Sequence, residues 1–124
     1  MKSIIIEGTK YSPRIELHPH GQMSFAGRSL IEDPVTFYKP VFQWIREQSF
    51  ELLNIEIKLE YINTSSTKQI FSLITEINDH SGIKNMHIDW YYEEDDEDSL
   101  ELGKEIESLM DIPFDFYKFP EVAA

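Results

Sequence analysis

The sequence has no cysteine among its 124 residues. Disulfide bonds, thiolate metal sites and cysteine nucleophiles are therefore excluded. The sequence also lacks a Gly-x-Ser-x-Gly nucleophile motif, a P-loop and the dinucleotide-binding Gly-x-Gly-x-x-Gly motif. We therefore predict no catalytic residues and no cofactor.

Basic residues are few, and long apolar runs are absent. The 11 Lys and Arg residues stand against 23 Asp and Glu residues, which gives a formal net charge of -12. That charge disfavours binding to nucleic acid and to anionic membranes, because both present negative surfaces. The opening residues MKSIIIEG contain only three consecutive apolar residues before Glu7, too few for a signal sequence or a spanning helix. We expect a soluble cytoplasmic protein that binds neither nucleic acid nor membrane.

The residues that are present have the composition of one folded domain. Hydrophobic residues make up 41% and aromatic residues 13% of the chain, which is typical of an ordered protein with a packed core. A chain of this length buries about two thirds of its unfolded surface around one core. We therefore expect residues 1–124 to form a single domain.

Apolar and polar residues alternate in several stretches, which predicts strands with one buried and one solvent-facing side. These stretches are 14–17, 22–25, 55–61, 86–90 and 114–116. Segments between them repeat apolar residues at spacings of three and four, which predicts helices near 37–45, 70–77 and 100–110. Pro40 is expected to kink or start the first helix, Gly82 to end the second and Pro113 to end the third.

The order of these elements predicts an α/β fold. Strands that alternate with helices form parallel crossovers, and the first strands add an antiparallel part through the turn HPHG. Strands covered on both sides would be apolar throughout, which these are not. We therefore predict two layers, with a mixed sheet that carries helices mainly on one face and is largely polar on the other.

Four consecutive hydroxyl residues, Thr64 to Thr67, lie between a predicted strand and a helix expected to begin near Ser65. A phosphate attached here would meet free backbone N–H groups and the positive end of the helix dipole. Lys68 follows four residues after Thr64. The cluster is therefore suited to carry a phosphoryl group. The spacing by itself favours a simpler interpretation, in which Asn63 or one hydroxyl caps the helix and the others are solvated.

The second candidate region is the acidic run after the predicted strand 86–90. It consists of Glu93, Glu94, Asp95, Asp96, Glu97 and Asp98. Neighbouring parallel strands end at one edge of a sheet, so this run is expected beside Thr64. Three interpretations of the run are open: an acidic docking surface, a divalent-cation site, or a solvated run at a helix start. We assign no metal, because the spaced ligands and mid-loop glycine of a calcium loop are missing.

The histidines and tryptophans are interpreted structurally. His18, His20, His80 and His87 show no helical metal-ligand spacing and are predicted to be turn or surface residues, with His87 on the polar side of a strand. Trp44 and Trp90 occupy periodic apolar positions, which indicates core residues.

Three stretches in order resemble the SiaC-like family of bacterial regulatory phosphoproteins: GRSLIEDPVTFYKPVFQWI, LEYINTSSTKQIF and WYYEEDDEDSLELG, followed by PFDF. The similarity covers nearly the whole chain. It implies a STAS-like (SpoIIAA-like) fold, that of the anti-anti-sigma factors, with helices mostly on one side of a mixed sheet. Where the family is expected to carry a Pro-Glu-Asn turn, this chain has Ile31, Glu32 and Asp33 followed by Pro34, so its entry into the first helix is expected to differ.

The resemblance also implies a function. The family's phosphoacceptor is the threonine of the Asn-Thr-Ser-Ser motif, which is Thr64 here, with Asn63, Ser65 and Ser66 completing the motif. A SiaB-type kinase adds the phosphate, and a SiaA-type metal-dependent serine/threonine phosphatase removes it. The unphosphorylated protein binds and activates a GGDEF-type diguanylate cyclase, which raises cyclic di-GMP and promotes aggregation or biofilm formation.

Three functional hypotheses are open at this point. The first is a non-enzymatic switch, in which a phosphate on Thr64, held by the helix start and Lys68, sets the choice of partner. The second is a phosphoryl-transfer enzyme whose carboxylates 93–98 hold Mg²⁺ near a Thr64 or Ser65 nucleophile. The third is a plain scaffolding domain.

Overall fold

The computed structural model describes residues 2–79 and 85–119. Its strands are β1 (Ile4–Ile6), β2 (Arg14–His18), β3 (Gln22–Ser29), β4 (Leu52–Ile62), β5 (Asn85–Glu93) and β6 (Phe114–Phe119). Its helices are α1 (Pro34–Arg46), α2 (Thr64–Asp79) and α3 (Glu97–Leu109). No helix in these two ranges is long and apolar enough to cross a membrane.

The strands form one mixed sheet whose spatial order follows the chain, from β1 to β6. The first three strands pair antiparallel, and β3 to β6 pair parallel through the three helices. The turn between β2 and β3 requires a glycine, because Gly21 has a φ of 109° and a Cβ there would lie 2.1 Å from the Leu52 carbonyl oxygen. The mixed α/β fold predicted from the alternating pattern is confirmed.

The helices cover one face of this sheet. Crossovers of the same hand that advance in the same direction place every connecting helix on the same side. The core lies between the layers and is filled by alternate strand residues such as Phe25, Ile57 and Ile88 together with helix residues such as Ile45 and Ile74. We call the other side of the sheet the open face, and it carries partly exposed polar residues such as Glu16, Glu56 and Asp89. Both predicted core tryptophans, Trp44 and Trp90, are buried.

Several boundaries differ from those predicted. The first helix begins at Pro34, where Asp33 accepts a hydrogen bond from the Thr36 backbone N–H at 3.3 Å, and Pro40 lies inside the helix. The hydrogen bonds from Thr36 lower the pKa of the Asp33 carboxyl. Strand β1 was not predicted, because three residues are too short to show a period. The predicted helix stop at Gly82 and the predicted turn or surface position of His80 lie outside the described residues.

A buried hydrogen bond joins the end of β3 to α1. The Ser29 and Tyr38 hydroxyl oxygens are 2.8 Å apart, and both residues are fully buried. Burial raises the pKa of Tyr38 to about 12, so the phenol is neutral at ordinary pH. This bond fixes the position of the end of β3, where the Ser29 carbonyl also accepts a hydrogen bond from the Asn63 backbone N–H.

We predict that Tyr38→Phe destabilises the fold by about 1–3 kcal/mol, because it leaves the buried Ser29 hydroxyl without its partner. Urea unfolding of Tyr38→Phe, Ser29→Ala and the double variant measures the coupling between the two residues. The double variant should be less destabilised than the sum of the single variants. Strict additivity would show that the hydroxyls do not interact.

Candidate functional site

Asn63 organises the junction between β4 and α2. Its backbone N–H donates to the Ser29 carbonyl at 3.0 Å, and its side-chain Nδ2 donates to the Ile31 carbonyl at 3.1 Å. Its Oδ1 accepts from the Ser66 backbone N–H at 2.8 Å, the usual capping bond at a helix start. The predicted helix cap is thus Asn63, and the helix begins at Thr64, one residue before the predicted start.

The four hydroxyls that follow Asn63 have different environments. Ser65 donates to Asn63 Oδ1 at 3.2 Å, and Thr67 donates to the Asn63 carbonyl at 3.0 Å. Ser66 is fully buried, and its Oγ has no hydrogen-bond partner within residues 2–79 and 85–119. Thr64 is exposed, and its hydroxyl makes no hydrogen bond to any described residue. Among the four, Thr64 is the hydroxyl that is both accessible and uncommitted.

The acidic run forms the turn from β5 into α3. Asp96 caps α3 by accepting from the Ser99 backbone N–H at 3.0 Å, and Trp90 Nε1 donates to the Ser99 carbonyl at 3.1 Å. Gly103 allows α3 to lie close to the sheet, because a Cβ there would come within 2.8 Å of the Trp90 and Phe116 rings. The position of the carboxylates therefore depends on the packing of α3 against Trp90.

The two regions meet in a groove of about 610 Å³ at the carboxyl edge of the parallel strands. Thr64 and Thr67 line it from α2, and Leu59 and Ile62 line it from β4. Its acidic lining consists of Glu60, Glu93, Asp95, Asp96 and Asp98. The structure thus places Thr64 beside the acidic run, as the expected parallel pairing requires.

Some predicted site residues lie outside this groove. Glu94, Glu97 and Lys68 are exposed and do not line it. Lys68 follows Thr64 by one helical turn, a spacing that places two side chains on the same side of a helix. Ser66 belongs to the interior rather than to the accessible surface.

One cluster of polar residues was missed at the level of sequence. His87, Asp89 and Asp115 come together on the open face, with the His87 Nε2 2.9 Å from a carboxylate oxygen of each aspartate. The available signal was the spacing of two between His87 and Asp89 on a strand. The third member depends on the pairing of Asp89 with Asp115 across β5 and β6, which no local pattern reveals.

Comparison with known families gives the context for the groove. The family model described as "SiaC family regulatory phosphoprotein" matches residues 6–119. The chain belongs to the SiaC family. A curated relative, an uncharacterized protein of Pseudomonas aeruginosa strain UCBPP-PA14, is 26% identical over 119 residues, covering 92% of this chain and 94% of its own.

Solved structures agree with this assignment. SiaC of Pseudomonas aeruginosa matches with a TM-score of 0.80 at 24% identity, over 96% of this chain and all of its own, which shows the fold. A complex of the diguanylate cyclase SiaD with its activator SiaC, from the same organism, matches with a TM-score of 0.83 at 25% identity. That match covers 94% of this chain and 99% of the other.

Family membership excludes one of the three functional hypotheses, the enzyme. The family consists of regulatory phosphoproteins, so this chain is a regulator and not an enzyme. The hypothesis of a phosphoryl-transfer enzyme built on carboxylates 93–98 is therefore wrong. Four of these carboxylates instead line the groove beside the exposed Thr64 hydroxyl: Glu93, Asp95, Asp96 and Asp98.

We predict that Asn63→Ala lowers the free energy of unfolding by about 1–3 kcal/mol, because it removes the cap and the bond to Ile31. Thr64→Ala is the matched control and should change stability by less than about 0.5 kcal/mol, since the Thr64 hydroxyl has no internal partner. Chemical denaturation of both variants measures the difference. An equal loss in the two would mean that Thr64 contributes to the cap.

Proposed function

We propose that this protein is a phosphorylation switch whose acceptor is Thr64 and whose output is a diguanylate cyclase. The observation that carries the proposal is the difference in exposure and hydrogen bonding among the four hydroxyls. Thr64 is exposed and uncommitted, whereas Ser65 and Thr67 donate to Asn63 and Ser66 is buried. A kinase can therefore reach Thr64 without breaking the helix cap. The family description as a regulatory phosphoprotein supports a modification of this kind.

The proposed partners follow from the family. A SiaB-type kinase phosphorylates Thr64, and a SiaA-type metal-dependent serine/threonine phosphatase reverses the reaction. The unphosphorylated chain binds and activates a GGDEF-type cyclase in the cytoplasm, which raises cyclic di-GMP and promotes aggregation or biofilm formation. The complex of SiaD with its activator SiaC in Pseudomonas aeruginosa supports this output, because its SiaC resembles this chain over 94% of its length.

The effect of the phosphate is electrostatic. A phosphothreonine adds about -1.5 to -2 charges at pH 7, and it would stand beside a groove lined by Glu60, Glu93 and Asp95. Ser66 and Thr67 already direct their backbone N–H groups to Asn63, so the N–H groups of Thr64 and Ser65 remain for an anion. The phosphate is thus tolerated by the helix start. A partner that brings its own carboxylates towards the groove would be repelled.

Two features confine the effect of the phosphate to the surroundings of Thr64. The core residues of α2 and β4 contact each other away from Thr64, so the fold does not depend on its hydroxyl. The screening length at physiological salt is about 8 Å, so the added charge acts mainly on groups that enter the groove. Phosphorylation therefore alters binding and leaves the domain folded.

We predict that Thr64→Glu weakens binding to the cognate cyclase at least about tenfold, equivalent to 1.4 kcal/mol, and lowers its activation. Thr64→Ala should bind and activate like the wild-type protein, because it lacks the added charge. Calorimetric titration and cyclase assays measure the two effects. Ser65→Glu is the matched control, since it adds the same charge one residue along the helix.

Two results would contradict this proposal. If Thr64→Ala and Thr64→Glu behave alike, the domain is a scaffold rather than a switch. If mass spectrometry of protein from its native host finds phosphate on Ser65 or Thr67 and none on Thr64, the acceptor is wrong. Phosphate on Thr64 that a metal-dependent phosphatase removes would support the full cycle.

A further inference from the structure

A second polar site lies on the open face, away from the groove. Its centre is His87 on β5, whose Nε2 is 2.9 Å from Asp89 Oδ1 and 2.9 Å from Asp115 Oδ2. The three ligand-type atoms lie within 4.8 Å of one another. Asp89 and Asp115 are paired across β5 and β6, so the backbone of the sheet holds two of the three groups together.

Hydrogen bonding alone satisfies this arrangement poorly. A ring nitrogen carries at most one hydrogen, and Nε2 has two carboxylate oxygens at equal distance. Neither aspartate forms an ion pair with Lys or Arg in the described part of the chain. Two negative charges that share one imidazole leave an excess of negative charge. A divalent cation would neutralise that charge and accept an electron pair from all three groups.

The Asn54 side chain holds Asp89 in place. Asn54 Nδ2 donates to Asp89 Oδ2 at 3.2 Å, which leaves Oδ1 directed at His87. Outer hydrogen bonds of this kind are typical of metal ligands, because they fix the orientation of the ligating oxygen.

We propose that His87, Asp89 and Asp115 bind a divalent first-row transition metal that joins β5 to the edge strand β6. Zinc bonds to histidine nitrogen and to carboxylate oxygen at about 2.0–2.2 Å, which places neighbouring ligand atoms of a tetrahedral site about 3.3–3.6 Å apart. The two nitrogen-to-oxygen distances in the cluster are 2.9 Å each, so the carboxylates would have to move away from the imidazole by about 0.4–0.7 Å to admit the ion. Asp115 is 59% exposed, so its side chain is free to complete the geometry.

The donor set points to the class of ion. One imidazole with two carboxylates suits zinc, manganese or iron(II), whereas calcium and magnesium prefer oxygen alone. Three protein ligands leave the remaining positions to water. The site does not involve Thr64 or the groove, so its occupancy can be tested independently of the proposed switch.

Zinc titration of the untagged protein in excess Mg²⁺ tests the proposal. The Mg²⁺ saturates oxygen-only sites such as the acidic groove, so the heat that remains reports sites with a nitrogen ligand. We expect one zinc ion per chain. We also expect the melting temperature to rise by about 5–10 °C at a hundredfold excess of zinc over its dissociation constant.

Variants locate the site. His87→Gln and Asp115→Asn should each weaken zinc binding at least about tenfold, which at the same zinc concentration removes about half of the thermal shift or more. Asn54→Ala should weaken zinc binding by about 10–100-fold through Asp89. His18→Gln is the matched control. His18 lies on the same face beside a single carboxylate, Glu16, at 3.4 Å. The substitution His18→Gln should therefore leave zinc binding unchanged.

Three outcomes would overturn the proposal. The first is no saturable zinc binding in excess Mg²⁺. The second is full binding by both His87→Gln and Asp115→Asn, and the third is an equal loss with His18→Gln, which would indicate adventitious adsorption to surface histidines. Because Asp115 is exposed, Asp115→Asn keeps the test valid even if a change at His87 impairs folding.

Discussion

The parallel pairing of β4 with both of its neighbours is the constraint on which the rest of the structure depends. The pairing aligns Phe25, Ile57 and Trp90 across β3, β4 and β5, and all three are buried on the side that the helices cover. Parallel strands end at a common edge, so the start of α2 and the turn after β5 are brought together there. The groove is therefore a consequence of strand direction and register.

The cap at the start of α2 shows how a small polar motif acquires distinct roles. Asn63 uses its backbone N–H, its Nδ2 and its Oδ1, and so joins β3, the segment before α1 and the first turn of α2. Once Asn63 satisfies the helix start, no neighbouring hydroxyl is needed for that task. The proposed phosphate on the accessible hydroxyl of Thr64 would therefore cost the fold little, whereas a phosphate on buried Ser66 would require the helix to open.

The sequence predicted most of the architecture because each strand has one solvent-facing and one buried side, and the resulting alternation of polar and apolar residues is visible locally. It also predicted that Thr64 would lie beside the acidic run, since strand direction follows from the crossovers. It could not predict which of the four hydroxyls is exposed and free of hydrogen bonds, because that depends on how Asn63 is held by Ser29 and Ile31 from distant segments. The cluster around His87 was missed for a related reason, since a partner from β6 joins it only through the register of the sheet.

Charge explains how the proposed phosphorylation of Thr64 would act on binding without altering the fold. The chain already has a formal net charge of -12, so one phosphate changes its overall field only slightly. Locally the situation differs, because the groove concentrates carboxylates from β4, β5 and the turn into α3 around one hydroxyl. Like charges that are brought into a partly enclosed groove interact more strongly than on open surface, since less water screens them. The position of Thr64 in that field is therefore what would give the proposed phosphate its effect on a partner.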